Sequence, residues 1–125
     1  MQAVKIEGAK WYEFYQNNSG GYHIQDDRVA ALVYVQAMDA EQANDIFYDL
    51  SEDARAYCEC CGERWEYVTE RDGHEEPTHY GVPLSEKLPN LYGRDSYLLC
   101  HGLNGRTLKV HGDKIEEIGK LSNGV

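Results

Sequence analysis

Hydrophobic and polar positions alternate, cluster and break along this chain in a way that predicts one helix and several short strands. Lys10 to Gln16 (KWYEFYQ) is rich in aromatic residues and predicts a strand. It runs into Asn17-Asn18-Ser19-Gly20-Gly21, whose residues favour turns and positive φ, so Tyr22 to Gln25 is predicted as the returning strand of a hairpin. Asp26-Asp27 marks a second tight turn. Arg28 to Ala37 (RVAALVYVQA) is β-branched and apolar at successive positions, the pattern of an interior strand covered on both faces.

The period changes at Asp39. This residue is a good N-cap, with Gln42 three positions on where a capping box places it, and Ala40 to Leu50 reads as the clearest helix. Its buried stripe is Ala43, Ile46, Phe47 and Leu50. On the other side Glu41, Asp45 and Asp49 recur at i, i+4 spacing, where like charges cost a few tenths of a kcal/mol per pair. These three carboxylates must face water or a cationic partner.

Beyond the helix the pattern shortens. Arg64 to Thr69 (RWEYVT) predicts a strand, and Arg71 to Pro83 an irregular stretch interrupted by Gly73, Pro77, Gly81 and Pro83. Ser85 to Leu88 predicts one short helical turn. Tyr97 to His101 and Thr107 to His111 are predicted strands on either side of Leu103-Asn104-Gly105-Arg106, in which Asn-Gly is a strong hairpin signal. From Ile118 the tail is small and polar and is expected to fray. The predicted fold is therefore α+β, a single domain over residues 1–125: a small antiparallel sheet of hairpins packed with one main helix, with a zinc-knuckle-like cysteine turn in the middle.

Composition sharpens this picture in two respects. The length of 125 residues fits one core, and ten tyrosines with two tryptophans suit half-buried sheet faces better than an aliphatic mass. The formal charge of −10 is concentrated: Asp39 to Glu76 holds thirteen carboxylates and three arginines, whereas the remainder carries nine acids and nine bases. That centre repels phosphate and anionic membrane surfaces and suits a basic partner, although a solvated helix face that maintains solubility explains the same charges. No apolar run approaches the ~18 residues of a membrane span, and residues 1–10 lack the apolar segment of a signal peptide. A cytoplasmic location is expected, which voids the Asn17-Asn18-Ser19 glycosylation match and favours thiols or metal ligands over disulfides.

The cysteines carry the most specific chemistry. Cys58-Glu59-Cys60-Cys61-Gly62 contains a C-x-x-C followed by the glycine that lets a tight turn aim two thiolates at one metal. Cys61, His74 and His79 extend the spacing to C-x2-C-x12-H-x4-H, the formal pattern of a C2H2 finger. A DNA-reading finger is nevertheless excluded. Gly73 and Pro77 break the helix that would bear both histidines, and Cys58 to His79 holds seven carboxylates against two arginines. Zinc through Cys58 and Cys61, completed by two of Cys60, His74, His79, Cys100 and His101, is the expectation, while free cysteine as a small buried hydrophobe stays open.

Other chemistry finds little support. A Cys/His nucleophile pair drawn from Cys100 or Cys60 is free combination, and no phosphate loop, G-x-G-x-x-G, H-E-x-x-H or nucleophile elbow is present. Asp26-Asp27 with His23 reads as a solvated turn before it reads as a metal site.

Three stretches, Trp11 to Gly21 (WYEFYQNNSGG), Val35 to Asn44, and Cys58 to Trp65 (CECCGERW), together resemble a family of small tailed-bacteriophage proteins with no assigned activity. A weaker likeness continues through Tyr80-Gly81 and the late hairpin. The resemblance implies phage origin, expression inside a bacterium, and that Cys58, Cys60, Cys61, Arg64 and Trp65 act as a unit. The leading functional expectation is an accessory protein that binds a host or phage macromolecule through Glu41, Asp45 and Asp49, with a structural zinc and without contact to DNA or membrane. A small metal-dependent enzyme and a DNA mimic directed at a nucleic-acid-binding host protein are the alternatives.

Overall fold

The computed structural model describes residues 5–17, 24–54, 57–58, 62–63, 65–89, 91, 95–112 and 114–120. In chain order the strands are β1 (Lys10–Tyr15) and β2 (Leu32–Ala37), followed by helix α1 (Ala40–Leu50) and a 3-10 turn at Glu52–Ala54. Two short pairs come next, β3 (Tyr57–Cys58) with β4 (Gly62–Glu63) and β5 (Thr78–His79) with β6 (Val82–Pro83), separated by a 3-10 turn at Glu70–Asp72. The chain closes with β7 (Leu98–His101), β8 (Arg106–His111) and β9 (Lys114–Lys120).

The α+β class stands, but the main sheet is mixed. Its order is β1-β2-β7-β8-β9, and β2 pairs parallel with β7 while every other neighbouring pair is antiparallel. A sheet made only of hairpins is thus corrected. The reason lies in β2, whose six residues are all buried and which therefore needs a neighbour on each side as well as cover on each face. Its second neighbour returns only after α1 and the long excursion, as parallel connections require.

Each face has its own core. Tyr12, Phe14, Val33, Val35 and Ala37 pack beneath Ala43, Phe47 and Leu50 of α1. On the opposite face Trp11, Leu32, Tyr34, Leu98 and Cys100 are covered by Leu84, with Leu88 and Leu91 beside it. The helix is held as its sequence predicts: Asp39 Oδ1 accepts the Gln42 N–H at 2.8 Å. Gln42 Oε1 accepts from Met38 N–H at 2.6 Å, one residue before the N-cap, and Glu70 Oε2 satisfies Ala40 N–H at 2.8 Å.

Three local expectations are also corrected. Ile24 and Gln25 form no strand, because the buried Gln16 amide bonds Ile24 N–H, Ile24 C=O and Ala30 C=O in place of a ladder; Tyr22 and His23 lie outside the described residues. Asp26 does turn the chain, accepting from Arg28 and Val29 N–H. Trp65 to Thr69 is not a strand either: Val68 is tied through N–H and C=O to the Asn44 side chain on α1, and Trp65 Nε1 donates to Ala54 C=O at 3.0 Å. The Asn104-Gly105 hairpin has a three-residue loop, closed by Gly102 and Arg106, in which Gly105 takes φ +88°. Finally, Ile118 to Lys120 belongs to β9, which the polar sequence concealed; residues 121–125 lie outside the described residues. Around the predicted short helical turn, Lys87 N–H bonds Pro83 C=O at 3.1 Å. No helix among the described residues is long and apolar enough to cross a membrane.

Candidate functional site

Strand β1 is an edge strand of the sheet, and its outward side shapes the cleft described below. The Trp11 N–H donates to His74 C=O at 2.7 Å and the His74 N–H to Trp11 C=O at 3.0 Å, so the main chain of Trp11 faces outward. Gln16 N–H bonds Ala31 C=O, toward β2. Because backbone groups alternate sides along a strand, Glu13 and Tyr15 also face outward, and among the described residues their N–H and C=O groups have no backbone partner there.

A cleft of about 370 Å³ opens beside them. Glu13, Tyr15, Glu66, Tyr67, Asp72 and Tyr80 contribute to its lining, as do His74 and Thr78, and no Lys or Arg among the described residues does. Tyr15, Tyr67 and Tyr80 remain 56%, 67% and 86% exposed, a high figure for three large rings around one depression. Glu13 is fixed in place: its Oε2 accepts both the Tyr34 hydroxyl and His79 Nδ1–H at 2.6 Å, while Oε1 has no hydrogen-bond partner among the described residues. Burial first, and the adjacent Glu13 carboxylate second, push the Tyr34 phenol well above its ordinary range. Tyr34 therefore stays a neutral donor.

Tyr80 opens the two-residue turn between β5 and β6 with φ +51°, followed by Gly81 at +81°. Left-handed φ suits glycine or asparagine and is unusual for a tyrosine. Its ring also lies 4.3 Å from that of His79. Tyr80→Asn is expected to leave stability unchanged or raise it by up to about 1 kcal/mol, since the turn then suits its residue. Denaturant unfolding checks this, and a loss above about 1 kcal/mol would show that the His79 contact outweighs the backbone cost.

The residues picked out from the sequence are placed as follows. Cys60 and Cys61 lie outside the described residues, while Cys58 is in β3 and Gly62 in β4, which pair with each other. Cys100 and His101 are neighbours on β7 and so point to opposite faces. Cys100 is buried against the second core, where burial holds its thiol well above the ordinary range. His101 Nε2–H donates to Arg28 C=O at 2.8 Å and its Nδ1 accepts from the Thr107 hydroxyl at 3.1 Å, so both ring nitrogens are occupied. His74 and His79 both lie close to β1, His74 through its bridge to Trp11 and His79 through its bond to Glu13. Glu41, Asp45 and Asp49 are exposed, and none forms an ion pair among the described residues. The similarity to known proteins extends over most of this architecture, matching a domain of unknown function, DUF7296, across residues 9–119.

The chain belongs to the DUF7296 family. No curated protein and no solved structure matches it. In this DUF7296 domain the cleft draws on residues that sequence reasoning passed over: Glu13 reads there as a strand residue, and Glu66, Tyr67 and Asp72 as part of a strand and a loop. Their only signal was the excess of acid between Asp39 and Glu76, to which Glu66 and Asp72 contribute.

Proposed function

We propose that this DUF7296 domain is an accessory protein of a tailed bacteriophage, acting in the bacterial cytoplasm by binding a basic surface of a host or phage protein. The observation that carries this reading is the cleft beside β1, which offers the carboxylates of Glu13, Glu66 and Asp72 and three exposed tyrosine rings, with no Lys or Arg among its described lining residues. Carboxylates and ring faces together favour ammonium and guanidinium groups. The stripe of Glu41, Asp45 and Asp49 adds a field that steers a basic partner during encounter. The phage and cytoplasmic attributions rest on the resemblance carried by the WYEFYQNNSGG and CECCGERW stretches.

These two acidic regions have separable roles. Reversing Glu41, Asp45 and Asp49 to Lys is expected to slow association with little change in dissociation, while the fold survives. Capture of the partner from bacterial lysate should weaken as salt rises past physiological strength. Capture indifferent to both salt and the triple reversal would contradict the reading, as would direct binding of duplex DNA at physiological salt.

A structural zinc belongs to the same proposal. The C-x-x-C-G turn supplies Cys58 and Cys61, with Cys60, His74 and His79 as the remaining candidates, since Cys100 and His101 are engaged on β7. Bound there, the metal would tie the β3–β4 pair to the rest of the domain. About one zinc per purified chain is expected by elemental analysis. Metal-free protein whose thermal stability is unchanged by chelator would remove zinc from the account.

A further inference from the structure

The two edges of the main sheet are treated differently. Strand β9 reads KIEEIGK, with Lys114, Glu116 and Glu117 exposed, and a register irregularity interrupts its pairing with β8 at Thr107/Leu108. Charges and irregular pairing are how natural sheets discourage the addition of a further strand. Among the described residues, strand β1 has neither a register irregularity nor a backbone partner on its outer side beyond Trp11. There the outward N–H and C=O groups of Glu13 and Tyr15 present two donors and two acceptors along one side of the cleft.

We propose that this edge takes up an extended segment of the partner protein as an added strand, with Lys or Arg at every second position. The inference rests on the binding reading above and specifies its mode. Main-chain pairing to Glu13 and Tyr15 would supply affinity without regard to sequence, and side chains would supply the choice. Glu13 and Tyr15 lie two residues apart, so their side chains share one face, and the residues of the incoming strand opposite them share it too. On that face the segment meets Glu13, held by Tyr34 and His79 with Oε1 open. Glu66 and Asp72 contribute further negative charge, and Tyr67 and Tyr80 contribute ring faces. No Lys or Arg among the described lining residues opposes a basic side chain there.

The test uses the full chain and a decapeptide of alternating lysine and threonine as probe. Amide hydrogen exchange at Glu13 and Tyr15 is expected to slow by about tenfold or more at saturating probe, with affinity falling as salt rises. Methylating the backbone nitrogens of every second probe residue should abolish this protection in one register and spare it in the other. Tyr15→Pro, which removes an outward N–H that β2 does not use, should weaken binding by about tenfold, while Tyr15→Phe stays within about threefold. Salt-sensitive binding without protection at Glu13 and Tyr15, and unaffected by either methylated probe, would overturn strand addition and leave the acidic binding site standing. Absence of salt-sensitive binding to the probe would overturn both.

Discussion

Replacing Phe47 with Ala is expected to destabilise the domain by about 3–5 kcal/mol, the usual cost of deleting a fully buried aromatic side chain. Phe47 is 2% exposed and stacks on Phe14 with ring centroids 4.1 Å apart and planes within 3°. The Trp65 ring meets it edge-on at 4.8 Å. Its removal would thus open a cavity where α1, β1 and the segment after β4 meet, three elements that cannot all move inward to fill it. Asp45, two residues earlier and on the exposed stripe across the helix, provides the comparison. Asp45→Ala should change stability by no more than about 0.5 kcal/mol, and relief of like-charge contact with Glu41 and Asp49 favours a small gain. Denaturant unfolding of the two variants side by side decides the matter, and equal losses would mean that the helix is packed by another face.

Acidification is expected to remove about 3 kcal/mol of stability through His101 alone. Burial lowers its pKa from 6.5 to about 4, an effect only partly offset by its bond to the Arg28 carbonyl and by nearby Asp27. The folded state therefore holds a neutral imidazole that the unfolded chain protonates more readily. Its contribution is complete above about pH 6.5, declines as pH falls from there to about 4, and levels off below. Carboxylates titrate over part of the same range, so the informative quantity is the stability difference between wild type and His101→Gln. That difference should shrink steadily from pH 6.5 to 4, and a difference independent of pH would mean that His101 is not buried as a neutral donor to Arg28 and acceptor from Thr107.

Much of the fold could be read from local pattern. The interior character of β2, the limits of α1 with its Asp39 cap, and the exposure of Glu41, Asp45 and Asp49 all follow from periodicity and capping chemistry, which act over a few residues. Features decided by distant partners were hidden. The parallel pairing of β2 with β7 spans more than sixty residues, and nothing in either strand names the other. Gln16 and Asn44 are polar residues whose role is to replace a ladder with side-chain bonds, so segments with strand-like composition, around Ile24 and from Trp65 to Thr69, are not strands. Strand β9 failed to announce itself for the opposite reason: an exposed edge strand is polar on both faces and lacks alternation.

The candidate site was legible only as charge. The concentration of carboxylates between Asp39 and Glu76 anticipated Glu66 and Asp72, but Glu13 lies far away in sequence and reaches the cleft because β1 is the edge beside which residues 66–81 settle. The tyrosines were counted as core material, which holds for Tyr12 and Tyr34 and fails for Tyr15, Tyr67 and Tyr80. Burial of a tyrosine depends on which face of which strand it occupies, and composition cannot specify that.

The dissociation rate of the alternating lysine–threonine decapeptide from two charge-reversed variants tests the cleft most directly. Glu66→Lys places a cation in the cleft lining at an exposed position, and Glu116→Lys makes the same charge change on β9 at the opposite edge of the sheet. Glu66→Lys is expected to speed dissociation by about tenfold or more, with Glu116→Lys close to wild type. Equal rates for the two variants would contradict the assignment of binding to the cleft beside β1.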